Sequence, residues 1–575
     1  MLKECLDVFK QQLDKDGDKL IIDSYIPADG TYVLVESNDD TFKITEVENF
    51  KLNRENPFDD GNVTKKKLRE FDYNSKLIDM NKPIDGKKII HSNNYLAFFI
   101  KKESLSNGKL TNEIIDNYYN ILANPYIKYT KPKAKKIYES VEEEIGSVDV
   151  QILESIRNWI KDNIFELGIE IKGKDYLKLF FDFPREEYRR EGKRYSIPNI
   201  YNSNDFNIVV SEEILGLPND NMGLNSKKPY LENKTRKVRV PYLIDSEEVL
   251  LQRKLFDYLM NLSSVGLNNV YIGDTVIACK NGDTIDKDFS GNYLRIQKGK
   301  ELEIHDYDCV PYYSKELPNT LIVKNIVGIN LDSFETSIPY DMEIKTRKKM
   351  QQVIDEGMFS KYLINNYFTE AKDMKFKDSS LKKNLLITRD CLFNWFYKGI
   401  DNGVYGVLNK VSLDMVKGSI ENGYTTKASH QFNIRWALNN YFKGGIDMET
   451  SVNDVKGILR EKINSNNTGI IESDIEYYFA VGQLVNYFIG MNKGKKKPHS
   501  LANPFINARN NEVIKEKLRV LYKKYNYEIE SYWKRFNNLY AMILSYDIDQ
   551  KVDQDMILAG YLHSNLVTEK NKEED

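Results

Sequence analysis

Apolar residues recur at helical spacing at the start of the chain, where Leu2, Leu6, Phe9 and Leu13 share one face, so a helix is predicted over 1–14. The rhythm then shortens. Residues 32–35 and 42–45 are β-rich and flank the turn-forming run 37–40, which predicts a hairpin over 30–45. Residues 95–100 read as a buried run, and His91 just before it as a satisfied, partly buried histidine. Helices are predicted over 112–122, 133–144 and 150–165, a strand over 176–183, and a helix over 245–262. Short β-rich pieces separated by Gly-Asp and Gly-Asn turns predict a meander over 269–305. From about residue 340 the pattern is helical almost to the end.

The last part carries the clearest periodicity. Ile475, Phe479, Gly482, Val485 and Ile489 fall on one face of a helix over 472–491. Ile514, Leu518, Leu521 and Tyr525 do the same over 512–525; Trp533, Phe536, Tyr540 and Ile543 mark another helix, and 556–566 a last one. Short connections between such helices make antiparallel neighbours, hence a bundle. The expected fold class is α+β: a mixed α/β region over 1–340, a helical connecting region over 341–447, and an all-α bundle over 448–575. A second stripe, Lys515, Arg519 and Lys523, repeats every four residues on the helix over 512–525. Beside Glu512 and Glu516 it reads as a solvated face. It also suits a basic groove that tracks a single strand.

Composition narrows the class. A chain of 575 residues suggests three or four units at most, and 41% hydrophobic with 29% charged residues describes a folded protein, not a disordered one. The net charge of −3 excludes no partner, because basic residues can gather on one face of a neutral protein. Cys5, Cys279, Cys309 and Cys391 lie far apart with no CxxC pair, which argues against structural zinc and for a reduced, cytoplasmic protein. The charged N-terminus is not a signal peptide, and no apolar run is long enough to cross a bilayer, so no membrane partner is expected. The chain has no GxxxxGK[ST], no HExxH and no GxSxG, and His305-Asp306 is an isolated dipeptide. No metal, cofactor or catalytic residue is expected.

Charge concentrates in two places. The run 185–194 gathers Arg185, Arg189, Arg190, Lys193 and Arg194, either a solvated face or a surface for an RNA backbone. The stretch 222–240 reads MGLNSKKPYLENKTRKVRV. Gly223 and Asn225 tolerate positive φ and suit a tight, exposed loop. Lys227 and Lys228 stand directly before Pro229, and Lys234, Arg236, Lys237 and Arg239 follow. Such a loop is either a solvated connection or one whose polar side chains meet phosphates and groove edges of a duplex.

Three stretches carry a resemblance to a known family. They are FDYNSKLIDMNKPIDGKKIIHSNNYLAFFIKKESL (71–105), LPNDNMGLNSKKPYLENKTRK (217–237), and HSLANPFINARNNEVIKEKL (499–518) with KVDQDMILAGYLHSNLV (551–567). In that order they resemble the large subunit of the type I-B CRISPR interference complex, the RNA-guided assembly called Cascade. The resemblance implies a non-catalytic subunit that holds the 5′ handle of the CRISPR RNA and inspects the protospacer-adjacent motif of target double-stranded DNA. It implies support for opening of the duplex, contact with the other backbone subunits of Cascade, and a surface for the helicase-nuclease. On this reading Gly223, Asn225, Lys227 and Lys228 meet the motif, Lys234, Arg236, Lys237 and Arg239 meet phosphates, and Lys515, Arg519 and Lys523 line the bundle's strand-binding face.

The resemblance also implies that the C-terminal bundle matches a separate small subunit, made from an internal start in the same gene. Met448 is the candidate start, because Lys443-Gly444-Gly445 can be encoded as AAA-GGA-GGN, a strong ribosome-binding sequence at a workable distance. The same Gly also suits the end of the preceding helix. Two other classes stay open: an RNA-binding scaffold that reads no DNA motif, and a nucleic-acid-processing enzyme.

Overall fold

The computed structural model describes residues 2–38, 41–52, 62–169, 172–211, 213–219, 243–299, 302–333, 336–444, 448–494, 497–529, 533–548 and 551–569. The fold is α+β. The chain divides into a mixed unit, Met1–Cys279 with Gly291–Cys309, and a mainly helical unit, Lys280–Ser290 with Val310–Asp575. The boundary expected near 340 falls inside the second unit.

In the first unit, α1 (Leu2–Asp16) forms as predicted and buries Leu6 and Phe9 of the expected face, together with Cys5; Leu13 is half-buried and Leu2, expected on the same face, is exposed. The predicted hairpin is formed by β1 (Gly30–Asn38) and β2 (Thr41–Phe50). Then come α2 (Val63–Ser75), β3 (Ala97–Lys101), α3 (Asn112–Ala123), α4 (Pro132–Ile145) and α5 (Val150–Asn163). Thr111 and Asp149 cap α3 and α5 by accepting backbone N–H bonds, which fixes where those helices begin. Strand β4 (Tyr176–Phe181) inserts between β1 and β3, parallel to β1 and antiparallel to β3, giving the order β2-β1-β4-β3.

Tyr32, Val33, Leu34 and Val35 are buried in succession on β1, as are Leu177 to Phe181 on β4. Consecutive burial marks strands covered on both faces. Leu68 and Phe71 of α2, Tyr118 and Tyr119 of α3, and Leu153, Ile156 and Ile160 of α5 share that core. Lys178 lies inside the buried run on β4. Its ammonium pairs with Asp72 of α2, which also accepts from Tyr25 (2.8 Å) and Tyr32 (3.3 Å) hydroxyls. The ammonium also lies over the Tyr32 and Phe99 rings, and breaking the buried pair from one side would cost about 3–5 kcal/mol.

The chain continues through α6 (Arg185–Asn199) and a small hairpin of β5 (Ile208–Val210) and β6 (Glu213–Leu215). After the long connection comes α7 (Ser246–Ser264). The predicted strands form as β7 (Leu267–Ile272), β8 (Val276–Lys280), β9 (Phe289–Lys298) and β10 (Leu302–Tyr313), but in the order β10-β9-β7-β8: β9 pairs with β7 and not with β8, so the sheet is not the simple meander expected.

The second unit opens with a ladder of β11 (Glu316–Ile322) and β12 (Glu343–Thr346), which the sequence pattern did not single out. Helices follow: α8 (Arg347–Gly357), α9 (Ser379–Lys398), α10 (Val404–Glu421), α11 (Thr425–Lys443), α12 (Met448–Asn464), α13 (Asp474–Gly490), α14 (Asn511–Tyr525), α15 (Lys534–Ser545) and α16 (Gln554–Leu562). Burial runs right round α13 from Tyr477 to Ile489, so α13 is a core helix, not a one-faced one. Ile475, expected on the inner face, is exposed in its first turn. At the crossing of α13 and α16, a Cβ on Gly482 would lie 2.2 Å from the Ile557 oxygen, and one on Gly560 2.1 Å from the Phe479 oxygen. Only glycine lets the two backbones approach this closely. Val416, Ile420, Ala428 and Phe432 of α10 and α11 belong to the same core as the helices after Met448.

Candidate nucleic-acid interface

The basic stretch hangs from a built foundation. Helix α6 ends at Asn199, and Ile200 and Tyr201 beyond it are buried. The N–H of Gly216 donates to the Ile244 carbonyl (2.9 Å), and the N–H of Ile244 donates back to Gly216 (3.0 Å). This two-way bridge closes the segment 217–243 at its neck. One step further out, the N–H of Asn202 donates to Leu217 (2.7 Å) and that of Asn219 to Ile200 (2.6 Å). Gly216 is required here. A Cβ would lie 2.3 Å from the Tyr201 ring and 2.5 Å from the Asn207 side-chain oxygen. On the exit side, the Asp245 carboxylate accepts from the Glu248 N–H (2.8 Å) and starts α7.

Two lysines pin the same foundation. Lys82 donates to the carbonyls of Asn199 (2.9 Å) and Tyr201, at the C-terminal end of α6, where cations are favoured. Burial pushes its ammonium down to about 8. Lys133 donates to the carbonyls of Asp205 (3.0 Å) and Asn207 (2.5 Å). Sequence reasoning missed Gly216, Lys82 and Lys133. An isolated Gly between two leucines was the one available sign of close backbone approach.

The residues assigned to the motif, Gly223, Asn225, Lys227 and Lys228, and those assigned to phosphates, Lys234, Arg236, Lys237 and Arg239, lie outside the described residues. The described residues that flank them are Asn219 and Leu243. Between Asp220 and Tyr242 the sequence holds six basic residues against two acidic ones.

The other basic run resolves differently. Every cation in 185–194 meets an acid: Arg185 and Arg189 meet Glu70 (3.1 and 2.9 Å), Arg190 meets Glu187, Lys193 meets Glu144 (3.1 Å), and Arg194 meets Glu191 (2.8 Å). Arg194 is buried and also donates to the Gly146 carbonyl (2.9 Å). Charges already paired within the fold make a poor backbone-binding surface, which favours the structural reading of this run.

On α14 the apolar face, Ile514, Leu518, Leu521 and Tyr525, is buried. Lys515 lies partly covered and pairs with Asp547 (2.9 Å), while Arg519 and Lys523 are exposed. None of the three belongs to that buried face. Met448 is the first residue of α12, and Gly444, at φ +66°, caps α11. The helix-ending role of that Gly therefore holds. Arg435 of α11 pairs with both carboxylate oxygens of Asp555 at the start of α16 (2.8 and 2.9 Å), which ties the helices before Met448 to those after it.

His91 is buried and satisfied by the Tyr176 hydroxyl (3.0 Å) and the Lys88 carbonyl (3.0 Å). His305 contacts Glu303 (3.1 Å). No cluster of three metal-ligating side chains forms among the described residues, and no described helix is long and apolar enough to cross a membrane. No protein-family model, curated protein or solved structure matches the chain.

Proposed function

We propose that the chain is the non-catalytic large subunit of a type I-B CRISPR RNA-guided surveillance complex, acting in the cytoplasm. It recognises the protospacer-adjacent motif in duplex DNA, contacts the 5′ handle of the CRISPR RNA, supports R-loop formation and recruits the helicase-nuclease. The observation that carries this reading is the strongly basic segment 220–242, closed at its neck by the Gly216–Ile244 bridge. The bridge supports the reading because it brings the two chain ends that flank the segment together.

The division of labour is the one RNA-guided effectors use. Guide pairing reads the target, and a protein loop reads a short flanking motif. The minor groove offers a degenerate code, so a few contacts from Asn225, Lys227 and Lys228 would tolerate several motifs. Lys234, Arg236, Lys237 and Arg239 would hold phosphates, and Lys515, Arg519 and Lys523 a single or guide-paired strand. A small subunit starting at Met448 would be a second product of the gene.

The test compares duplexes with matched and mismatched flanks. Asn225→Ala or Lys228→Ala should reduce the preference for the matched flank by about 1–3 kcal/mol. Arg236→Ala should weaken all duplexes and lower the salt slope by about one unit. Equal losses on both duplexes for Asn225→Ala and Lys228→Ala would refute motif reading. Guide RNA bound with no flank preference at all would instead mark an RNA-binding scaffold.

A further inference from the structure

Two cavities in the first unit, of about 250 and about 600 Å³, share Lys76 and Arg253 as lining residues. The smaller one reaches Pro218 and Asn219, the last described residues before the basic segment. Its walls are of two kinds. Ile78, Val249, Phe256 and Met260 give it an apolar side. Lys76, Arg253, Asn219 and Asp257 give it a polar one.

The polar side is rich in donors and short of acceptors. Asp257 alone serves two cations: the Lys76 ammonium at 3.1 Å and Arg253 Nε at 3.9 Å. It also accepts from the Tyr73 hydroxyl (3.2 Å). A guanidinium carries five N–H donors, yet Arg253 makes no hydrogen bond among the described residues. The side-chain nitrogen of Asn219 is buried and has no partner among the described residues either. A buried donor without a partner costs free energy, so an acceptor-rich ligand is the natural complement. An anion next to an apolar chamber is the make-up of a nucleotide. At about 250 Å³ the chamber is smaller than the ~300–1,000 Å³ of drug-sized pockets, room for one ring system.

We propose that this chamber takes one nucleotide, its base against Phe256 and Met260 and its phosphate on Arg253, with Lys76 and the Asn219 amide also donating. The inference rests on the reading of this unit as a nucleic-acid binder and names a site separate from the basic loop. Its lining includes Pro218 and Asn219, which directly precede the basic segment in the chain.

The experiment uses the full chain. The probes are single-stranded RNA and DNA of one sequence with 2-aminopurine at each position in turn, and free AMP. The variants are Arg253→Gln, Met260→Phe and the milder Val249→Ile, which narrows the chamber by one methylene should Met260→Phe lower the melting temperature. One position should change fluorescence on binding, in RNA or in DNA, and that arm identifies the strand. The chamber-filling variants should abolish the change. Arg253→Gln should weaken strand binding about tenfold, the size of one charge-assisted hydrogen bond. Competition by AMP would show that the nucleotide itself is recognised. No responsive position, or a response untouched by the chamber-filling variants, overturns the proposal. So does loss in Arg253→Gln alone, because the chamber is then not occupied. If Lys228→Ala loses flank discrimination while Arg253→Gln binds strands normally, only this site falls and the loop reading stands.

Discussion

Gly216→Ala tests the foundation of the basic segment directly. The new Cβ would start 2.3 Å from the Tyr201 ring, where a relaxed carbon contact is about 3.5 Å, so something must move by about 1 Å. The ring is poorly placed to yield. Tyr201 is buried, and its hydroxyl donates to the Ile214 carbonyl (2.9 Å). If Gly216 moves instead, its 2.9 and 3.0 Å bonds to Ile244 stretch beyond hydrogen-bonding range. Two lost backbone bonds at about 1 kcal/mol each, with about 1–3 kcal/mol of overpacking, give roughly 3–5 kcal/mol against the closed neck. That energy falls on a local opening, not on the whole fold. Hydrogen exchange read by mass spectrometry should therefore speed up by at least about a hundredfold in peptides spanning 213–219 and 243–250. Exchange in β1 and β4 should stay as it was. Unchanged exchange at the neck would mean that Tyr201 swings aside, and the argument for a rigid foundation would fail. Uniform acceleration throughout the first unit would refute its local character.

Replacing Lys515, Arg519 and Lys523 together with Glu should leave the fold intact, because Arg519 and Lys523 are exposed and the Lys515 pair, whose Asp547 partner is exposed, contributes about 0–1 kcal/mol; permanganate footprinting should then show impaired target opening with motif binding intact, and unchanged opening makes the stripe a solvated face. Burial first, then Lys456 and Arg460, pushes His563 down to about 4 from 6.5, so the fold favours the neutral ring; the resulting stability is full above 6.5 and falls by about 2 kcal/mol at pH 5. Urea unfolding at pH 7 and pH 5 should show that drop in the native chain and lose it in His563→Gln, and an equal drop in both would assign it elsewhere. Expression of the unmodified gene should yield a short chain from Met448 by mass spectrometry, and silent recoding of 443–445 should remove it; a short chain that survives recoding excludes this start.

Local order was legible wherever one short stretch carries its own apolar periodicity or turn. The helices at 2–16, 112–123, 132–145 and 150–163 and the hairpin of β1 and β2 are of this kind. Sheet order was not legible. The insertion of β4 between β1 and β3 pairs it with a strand, β1, more than a hundred residues away, and no local rhythm encodes it. Helix α13 shows a related limit. Its apolar positions predict an inner face, but burial on every side follows from α14, α15 and α16, which the stretch itself does not contain.

Cations show the same limit most sharply, and there it bears on function. In sequence, the five cations of 185–194 and the single Arg253 differ only in density, and density favours the run as a ligand surface. The fold reverses that ranking. Glu70 and Glu144, distant in sequence, arrive beside α6 and neutralise three of its cations, and Glu187 and Glu191 serve the other two. Arg253 sits on α7 with, among the described residues, only Asp257, already shared with Lys76, at 3.9 Å. A charge-assisted bond contributes to binding only if the cation is not already satisfied, so the partner count decides function, not the charge count. By that criterion Arg519 and Lys523 remain candidates on α14, Lys515 less so, and Lys82 and Lys133 are structural because carbonyls already occupy them. The basic segment 220–242 stands apart for a different reason: its own sequence supplies only Asp220 and Glu232 against six cations, too few acids to neutralise it from within.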